Sequence, residues 1–185
     1  QAIADLFQAI GKEITDLEKY QPEIRKHPGL LKGHLPFMGE ILLGHLRYGT
    51  RGKNNVEFCH PFVKKNIIPA RNLALAGNFN LVNTEELFSL INLDPGVFQK
   101  QSDLAAMMEV VHHFQVKEDE ASPGSISVTN ILKKAFSLFD GGYHVGGMLG
   151  NGDSFVIRDP HGIRPSYYYI NEDIFVAASE RAAIR

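Results

Sequence analysis

Cysteine occurs once in the 185 residues, at Cys59, so the chain can close no disulfide on itself and has no Cys-x-x-Cys pair to hold a metal. That usage points to a reducing compartment, and a cytoplasmic location is the expectation. No apolar run reaches the length of a membrane span, and the N-terminus lacks the basic and apolar regions of a signal peptide. A formal net charge of −2 with no Lys/Arg-rich run leaves no electrostatic footprint for nucleic acid or an anionic membrane. The histidines fall into no HExxH or Cys/His spacing; His112 and His113 are adjacent and point about 100° apart on a helix. No metal site is expected. The glycine-rich stretch GGYHVGGMLGNGD (141–153) leads into a hairpin signal rather than a helix, so it cannot cradle a phosphate as a P-loop does.

What is present is a globular composition, 44% hydrophobic and 22% charged, in a chain long enough for one domain that buries roughly 70% of its unfolded surface. Ile3, Leu6, Phe7, Ile10, Ile14 and Leu17 recur at helical spacing and predict a helix over 2–20, ended by the Gln21-Pro22 step. A connector with three prolines follows. The run ILLGHLRYG (41–49) reads as a buried strand delivering Arg47 to a rim, and NLALAG as the next strand. Asn83 with Glu86 resembles a capping box for the helix TEELFSLI. Ser102 is the expected cap of a second helix, with Leu104, Met107, Met108, Val111 and Phe114 facing a core and a charged loop at 117–125. A third helix is expected at about 126–139. Beyond Gly141 the period shortens to that of strands, with a hairpin at Asn151-Gly152 and another at Asn171-Glu172-Asp173. Strands, then helices, then an antiparallel meander indicate an α+β fold.

Three positions stand out chemically. Arg47, at a strand end beside Tyr-Gly-Thr, offers a planar fork for a carboxylate, although many such arginines are only solvated. Asp103, at the first helical position, either complements the helix dipole or receives an ammonium group. Asn78 either forms a turn or, with the backbone N–H that follows it at a strand terminus, builds an oxyanion hole. Cys59, in a loop with no helix N-terminus or cationic cluster beside it, reads as a bystander.

The order of GHLRYGTRG, GNFNLVN, QSDLAAMMEVV, DGGYHVGGMLGNG, FVIRDPHGIRPSYY and VAASERAAI, from Gly44 to Ile184, resembles the class II glutamine amidotransferase domain of amidophosphoribosyltransferases, which are N-terminal-nucleophile hydrolases. The RDPxGIRP…ASE pair is its most specific part. The resemblance implies a four-layer αββα sandwich, here a truncated domain over 1–185 with its first strands absent, residues 1–40 forming a helix and connector and 41–185 carrying the glutaminase motifs. It implies glutamine as substrate and a phosphoribosyltransferase domain of the same full-length chain as partner, with Mg and phosphoribosyl pyrophosphate bound there and no cofactor in the present residues. A homo-oligomer is expected, with no nucleic-acid or membrane partner.

By position, Arg47 would hold the glutamine α-carboxylate with Thr50 in the same loop, and Asp103 the α-ammonium. Asn78 and the Phe79 backbone N–H would form the oxyanion hole. A backbone that only glycine adopts easily would strain Phe79 by about 1 kcal/mol or more. The family nucleophile, an N-terminal cysteine, is not in these residues, so they are expected to be inactive alone. Two other readings are compatible with the residues: a non-catalytic module that binds glutamine or a protein, and the glutaminase domain of another ammonia-using synthase.

Overall fold

The structure, a computed structural model, describes residues 2–46, 59–91 and 103–184. It divides into two compact units, Gln1–Leu42 and Leu43–Arg185. In the first, α1 (Ala2–Tyr20) stops where the periodicity predicts, one residue short of Gln21-Pro22. The connector is not wholly irregular: it contains α2 (Pro28–His34), which Pro28 opens at a position where a missing N–H costs nothing. Ile24, Leu31 and Leu35 are buried there, and Ile14, Leu17 and Met38 pack against them.

The second unit is built on an antiparallel four-stranded sheet in the order β1-β2-β3-β4, comprising β1 (Phe62–Lys64), β2 (Leu73–Leu81), β3 (Gly141–Leu149) and β4 (Ser154–Arg158). A separate hairpin pairs β5 (Tyr167–Ile170) with β6 (Phe175–Ala178). Side chains of a strand alternate between faces. Leu73, Leu75 and Leu81 of β2 and Tyr143, Val145 and Leu149 of β3 therefore share one face, where they meet α3 (Thr84–Leu90), α4 (Asp103–Ala121) and α5 (Val128–Phe136). This is the core. From α4 it receives Leu104, Met107 and Val111 with no more than traces of exposure, each side chain contributing about 1.5–3 kcal/mol of burial. The fold is α+β with antiparallel sheets, as the sequence pattern indicates.

Several local expectations fail for identifiable reasons. Residues 41–46 belong to no strand among the described residues, and Leu42 and Leu46 are 68% and 78% exposed. Asn83 precedes α3 but does not cap it; its amide instead donates to Leu138 O and accepts from Asp140 N–H, tying the end of the α5 segment to β2. The charged residues after Lys117 stay helical as far as Ala121, because Asp119 pairs with Arg71, and Glu118 with Asn130 and Lys134. Opposite partners let these acids sit against the core instead of unravelling into a loop. The turn into β3 needs glycine: Gly141 has φ of +136°, and a Cβ there would lie 2.2 Å from Asn80 O.

The RDPHGIRP segment is held by one carboxylate. Asp159, only 3% exposed, accepts from the Ile163 N–H at 2.8 Å, the Arg164 N–H at 2.9 Å and the Tyr143 N–H at 3.3 Å. Arg158 closes the turn from the other side, donating to Arg164 O and Gly162 O. Burial alone would raise the carboxyl pKa of Asp159; the three N–H bonds and Arg158 outweigh it and hold the group below its ordinary 3.8. Asp159→Ala strands three donors, so urea unfolding at pH 7 is expected to show a loss of about 3 kcal/mol. Because the folded-state pKa lies below the unfolded one, the wild-type margin over the variant should be complete above the ordinary carboxylate range and shrink as pH falls below about 4.

Candidate functional site

Bond parity in the β2–β3 ladder decides what β2 can offer a ligand. Val82 N–H donates to Asp140 O and Gly150 N–H to Asn72 O, so even-numbered residues of β2 form the hydrogen-bonded pairs with β3. The N–H groups of Gly77, Phe79 and Leu81 therefore point to the opposite edge. Strand β1 covers that edge only as far as the Phe62–Leu75 pair. Beyond it, Leu81 N–H is taken by the Asp103 carboxylate at 2.9 Å, and Phe79 N–H has no partner among the described residues.

Asp103 is thereby fixed at the open edge two residues along from Phe79, a spacing of about 7 Å. Its other oxygen meets Thr84 Oγ1 at 3.4 Å. Two bonds leave a carboxylate with further acceptor capacity. Asn78 contributes differently. Its side chain projects from the face away from the helices and makes no hydrogen bond with any described group. A free amide on the face, a free N–H on the edge and an anchored carboxylate thus gather at one corner of the sheet.

Asn78 and Phe79 do not stand at a strand terminus as expected, since β2 runs on through Leu81. Nor is Phe79 strained: Phe37 is the only non-glycine described with positive φ, so Phe79 sits in ordinary extended backbone. Its ring lies on the helix side, 5.5 Å from the His60 ring and stacked on it, opposite the face that carries Asn78. The ring therefore leaves the donor corner open. Arg47, Thr50 and Ser102 lie outside the described residues, so the carboxylate-binding part of the site carries no geometry here.

Cys59 is exposed, at a groove of about 470 Å³ beside β1 and α4, whose Lys64 is paired with Glu109. Among the described residues no group of three or more His, Cys, Asp or Glu could hold a metal ion, and no helix is long and apolar enough to cross a membrane. Sequence reasoning gave no role to His144 and Arg158, which stand beside Asn78 on the outer face through the register Asn78–His144–Arg158. Alternation within β3 alone could put His144 on the face of Gly142 and Gly146; only the pairing brings it to Asn78. Burial, with the Arg158 guanidinium second, pushes the His144 pKa below the usual 6.5 and keeps its ring neutral at pH 7.

No protein-family model matches the chain. An amidophosphoribosyltransferase of Methanocaldococcus jannaschii is 32% identical over 150 residues, which span 79% of this chain and 29% of that protein. Its counterpart in Bacillus subtilis is 30% identical, with 78% of this chain and 28% of the relative covered. Among solved structures, the glutamine phosphoribosylpyrophosphate amidotransferase of B. subtilis, complexed with ADP and GMP, superposes with a TM-score of 0.58 at 26% identity over 76% of this chain and 28% of that one. A structure described as the allosteric regulatory enzyme of purine biosynthesis gives 0.60 at 28% identity over the same shares. The fold is thus of the N-terminal-nucleophile hydrolase class. Within that class, the chain is a homologue of amidophosphoribosyltransferases, matching them over 79% of its own length. It spans about three-tenths of the length of the relatives it matches.

Bond parity has a direct readout. In amide hydrogen exchange, Phe79 N–H should exchange faster than the Asn78 and Asn80 N–H groups by about 10²-fold, because those two are tied to β3. Slower exchange at Phe79 than at Asn78 and Asn80 would place β2 in the other register.

Proposed function

We propose that this chain supplies the glutamine-binding and oxyanion-stabilising part of an amidophosphoribosyltransferase, in which glutamine hydrolysis delivers ammonia for phosphoribosylamine formation from phosphoribosyl pyrophosphate. One observation supports the proposal: the Phe79 N–H faces the edge of β2 at which Asp103 holds the Leu81 N–H, and Asn78 precedes it on the same strand, both donors without partners among the described residues. A thiolate adding to the glutamine side-chain carbonyl turns that oxygen into an alkoxide. Two donors directed at it would then strengthen their bonds as the charge develops, and so favour the transition state over the ground state. Collapse of the adduct expels ammonia once the leaving nitrogen is protonated, and water cleaves the thioester to glutamate. Asp103, and Arg47 by position, would grip the ammonium and carboxylate of the amino acid and hold its carbonyl at the donors.

The sole cysteine of these residues, Cys59, lies exposed beside β1. Catalysis on this scheme requires the attacking thiolate to reach the Asn78 corner from other residues of the full-length protein. Magnesium and phosphoribosyl pyrophosphate would belong to a phosphoribosyltransferase domain; among the described residues no acidic cluster would hold the ion, so no step here runs through it.

Two substitutions in the full-length protein test the assignment. Asp103→Asn keeps an acceptor for Leu81 N–H but loses the charge, and should raise KM for glutamine by about 10- to 100-fold, impairing glutamine-dependent synthesis far more than ammonia-dependent synthesis. Equal loss with both nitrogen sources would contradict the role of Asp103. Asn78→Ala should lower kcat for glutamine hydrolysis by about 10²- to 10³-fold with little change in KM. A variant that turns over at the wild-type rate removes Asn78 from the oxyanion hole.

A further inference from the structure

Among the described residues, the buried polar side chains are Gln115, Glu118, Asp119, His144 and Asp159. The acids are engaged with cations or backbone donors, and Gln115 donates to Ala70 O and Asn72 O in the core, its Oε1 left without a described partner. His144 differs in its place, on the outer face beside the candidate site. It is 7% exposed, its Nε2 is cut off from water, and that nitrogen has no hydrogen-bond partner among the described residues. Burying a ring nitrogen without a bond forfeits its hydration and returns nothing, so such a group calls for an explanation.

Its surroundings narrow the choice. On the outer face His144 is flanked along β3 by Gly142 and Gly146; Ile163 lies over the first and Leu43 over the second. These apolar side chains shield the ring and offer it no bond. Across the ladder on one side stands Arg158, whose Nε and Nη2 are already donated to Arg164 O and Gly162 O. Across the ladder on the other side stands Asn78, directly opposite, with Cβ atoms of such a pair about 5 Å apart. Asn80 lies diagonally and is exposed to water. Arg158 keeps Nη1 unused, but its guanidinium is turned to the 162–164 turn, with Nη1 beside Gly162; among the described residues the neighbouring side chain that makes no hydrogen bond at all is the Asn78 amide.

An oxyanion donor built from a side-chain amide faces a difficulty that a backbone N–H does not. Rotation by half a turn presents its carbonyl oxygen instead of its NH₂ group, and the oxygen would repel the developing alkoxide. An acceptor beside the amide removes the ambiguity, because only the correct flip gives it a hydrogen. We propose that His144 is a positioning residue for Asn78: with its proton on Nδ1, Nε2 accepts one N–H of the Asn78 amide when glutamine is bound, and the second N–H is thereby aimed at the carbonyl oxygen. This rests on the role given to Asn78 above. The neutral state of the buried ring fits the task, since an imidazolium would offer no acceptor.

The test is a double-mutant cycle on glutamine hydrolysis by the full-length protein, with the folded state of each variant checked by circular dichroism and urea unfolding. His144→Ala should lower kcat by about tenfold with KM within about twofold of wild type, and should cause no further loss in an Asn78→Ala background. His144→Gln fills the site and keeps an acceptor oxygen, and should recover kcat to within about threefold of wild type. Equal factors of loss in both backgrounds, an effect confined to KM, a wild-type rate for His144→Ala, or a His144→Gln variant as slow as His144→Ala would each overturn the proposal. Those outcomes leave the oxyanion role of Asn78 intact as long as Asn78→Ala is itself slow. If Asn78→Ala turns over normally, both inferences fall together.

Discussion

The hydrogen-bond register between β2 and β3 is the constraint on which the site depends. Antiparallel pairing alternates, so each N–H of β2 either belongs to the ladder or faces the other edge. With Val82 and Asp140 as a bonded pair, the Phe79 N–H is released to the edge, while the Asn78 side chain leaves by the outer face. A slip of one residue would turn both assignments over at once. It would also bring Leu73, Leu75 and Leu81 out of the core and Asn78 into it. Hydrophobic burial of those leucines therefore holds the polar geometry in place, at about 1.5–3 kcal/mol each.

The same coupling of core and corner recurs in α4. Leu104, Met107, Met108 and Val111 bind the helix to the sheet, and its first residue, Asp103, reaches the edge of β2 because the packing puts the helix start there. At the far end Glu118 and Asp119 meet Asn130, Lys134 and Arg71 instead of water. The helix is thus pinned at both ends by carboxylates and along its length by apolar contacts. The RDPHGIRP turn follows the same economy, since Asp159 alone satisfies three backbone donors and so sets Ile163 over Gly142.

Much of this could be read in the chain. Helical spacing from Leu6 to Leu17 located α1, strand-like runs after Gly141 located the meander, and Asn151-Gly152 marked its hairpin. Asp103 was legible as an acid at a helix start, whereas Asn78, read as the end of a strand, lies inside β2. Cross-strand pairing was not legible, since it joins residues more than sixty positions apart. His144 could therefore be seen as a strand residue but not as a neighbour of Asn78. The apolar run beginning at Ile41 misled because hydrophobicity alone does not make a strand: residues 41–46 are irregular, with Leu42 and Leu46 exposed and Leu43 against Gly146. Asn83 misled for the opposite reason: its amide found partners far off in sequence, Leu138 and Asp140, that outcompeted the local cap.

The corner itself has a stereochemical corollary. One donor lies in the plane of the sheet and the other rises from it, so the two approach a shared acceptor along directions set roughly at right angles. An sp² oxygen accepts best within its own molecular plane. A carbonyl satisfied by both must therefore align that plane with the pair, and its two faces become inequivalent, one turned toward the strand and one away. Strand geometry would in this way select which face of the trigonal carbon a nucleophile meets, before any nucleophile arrives.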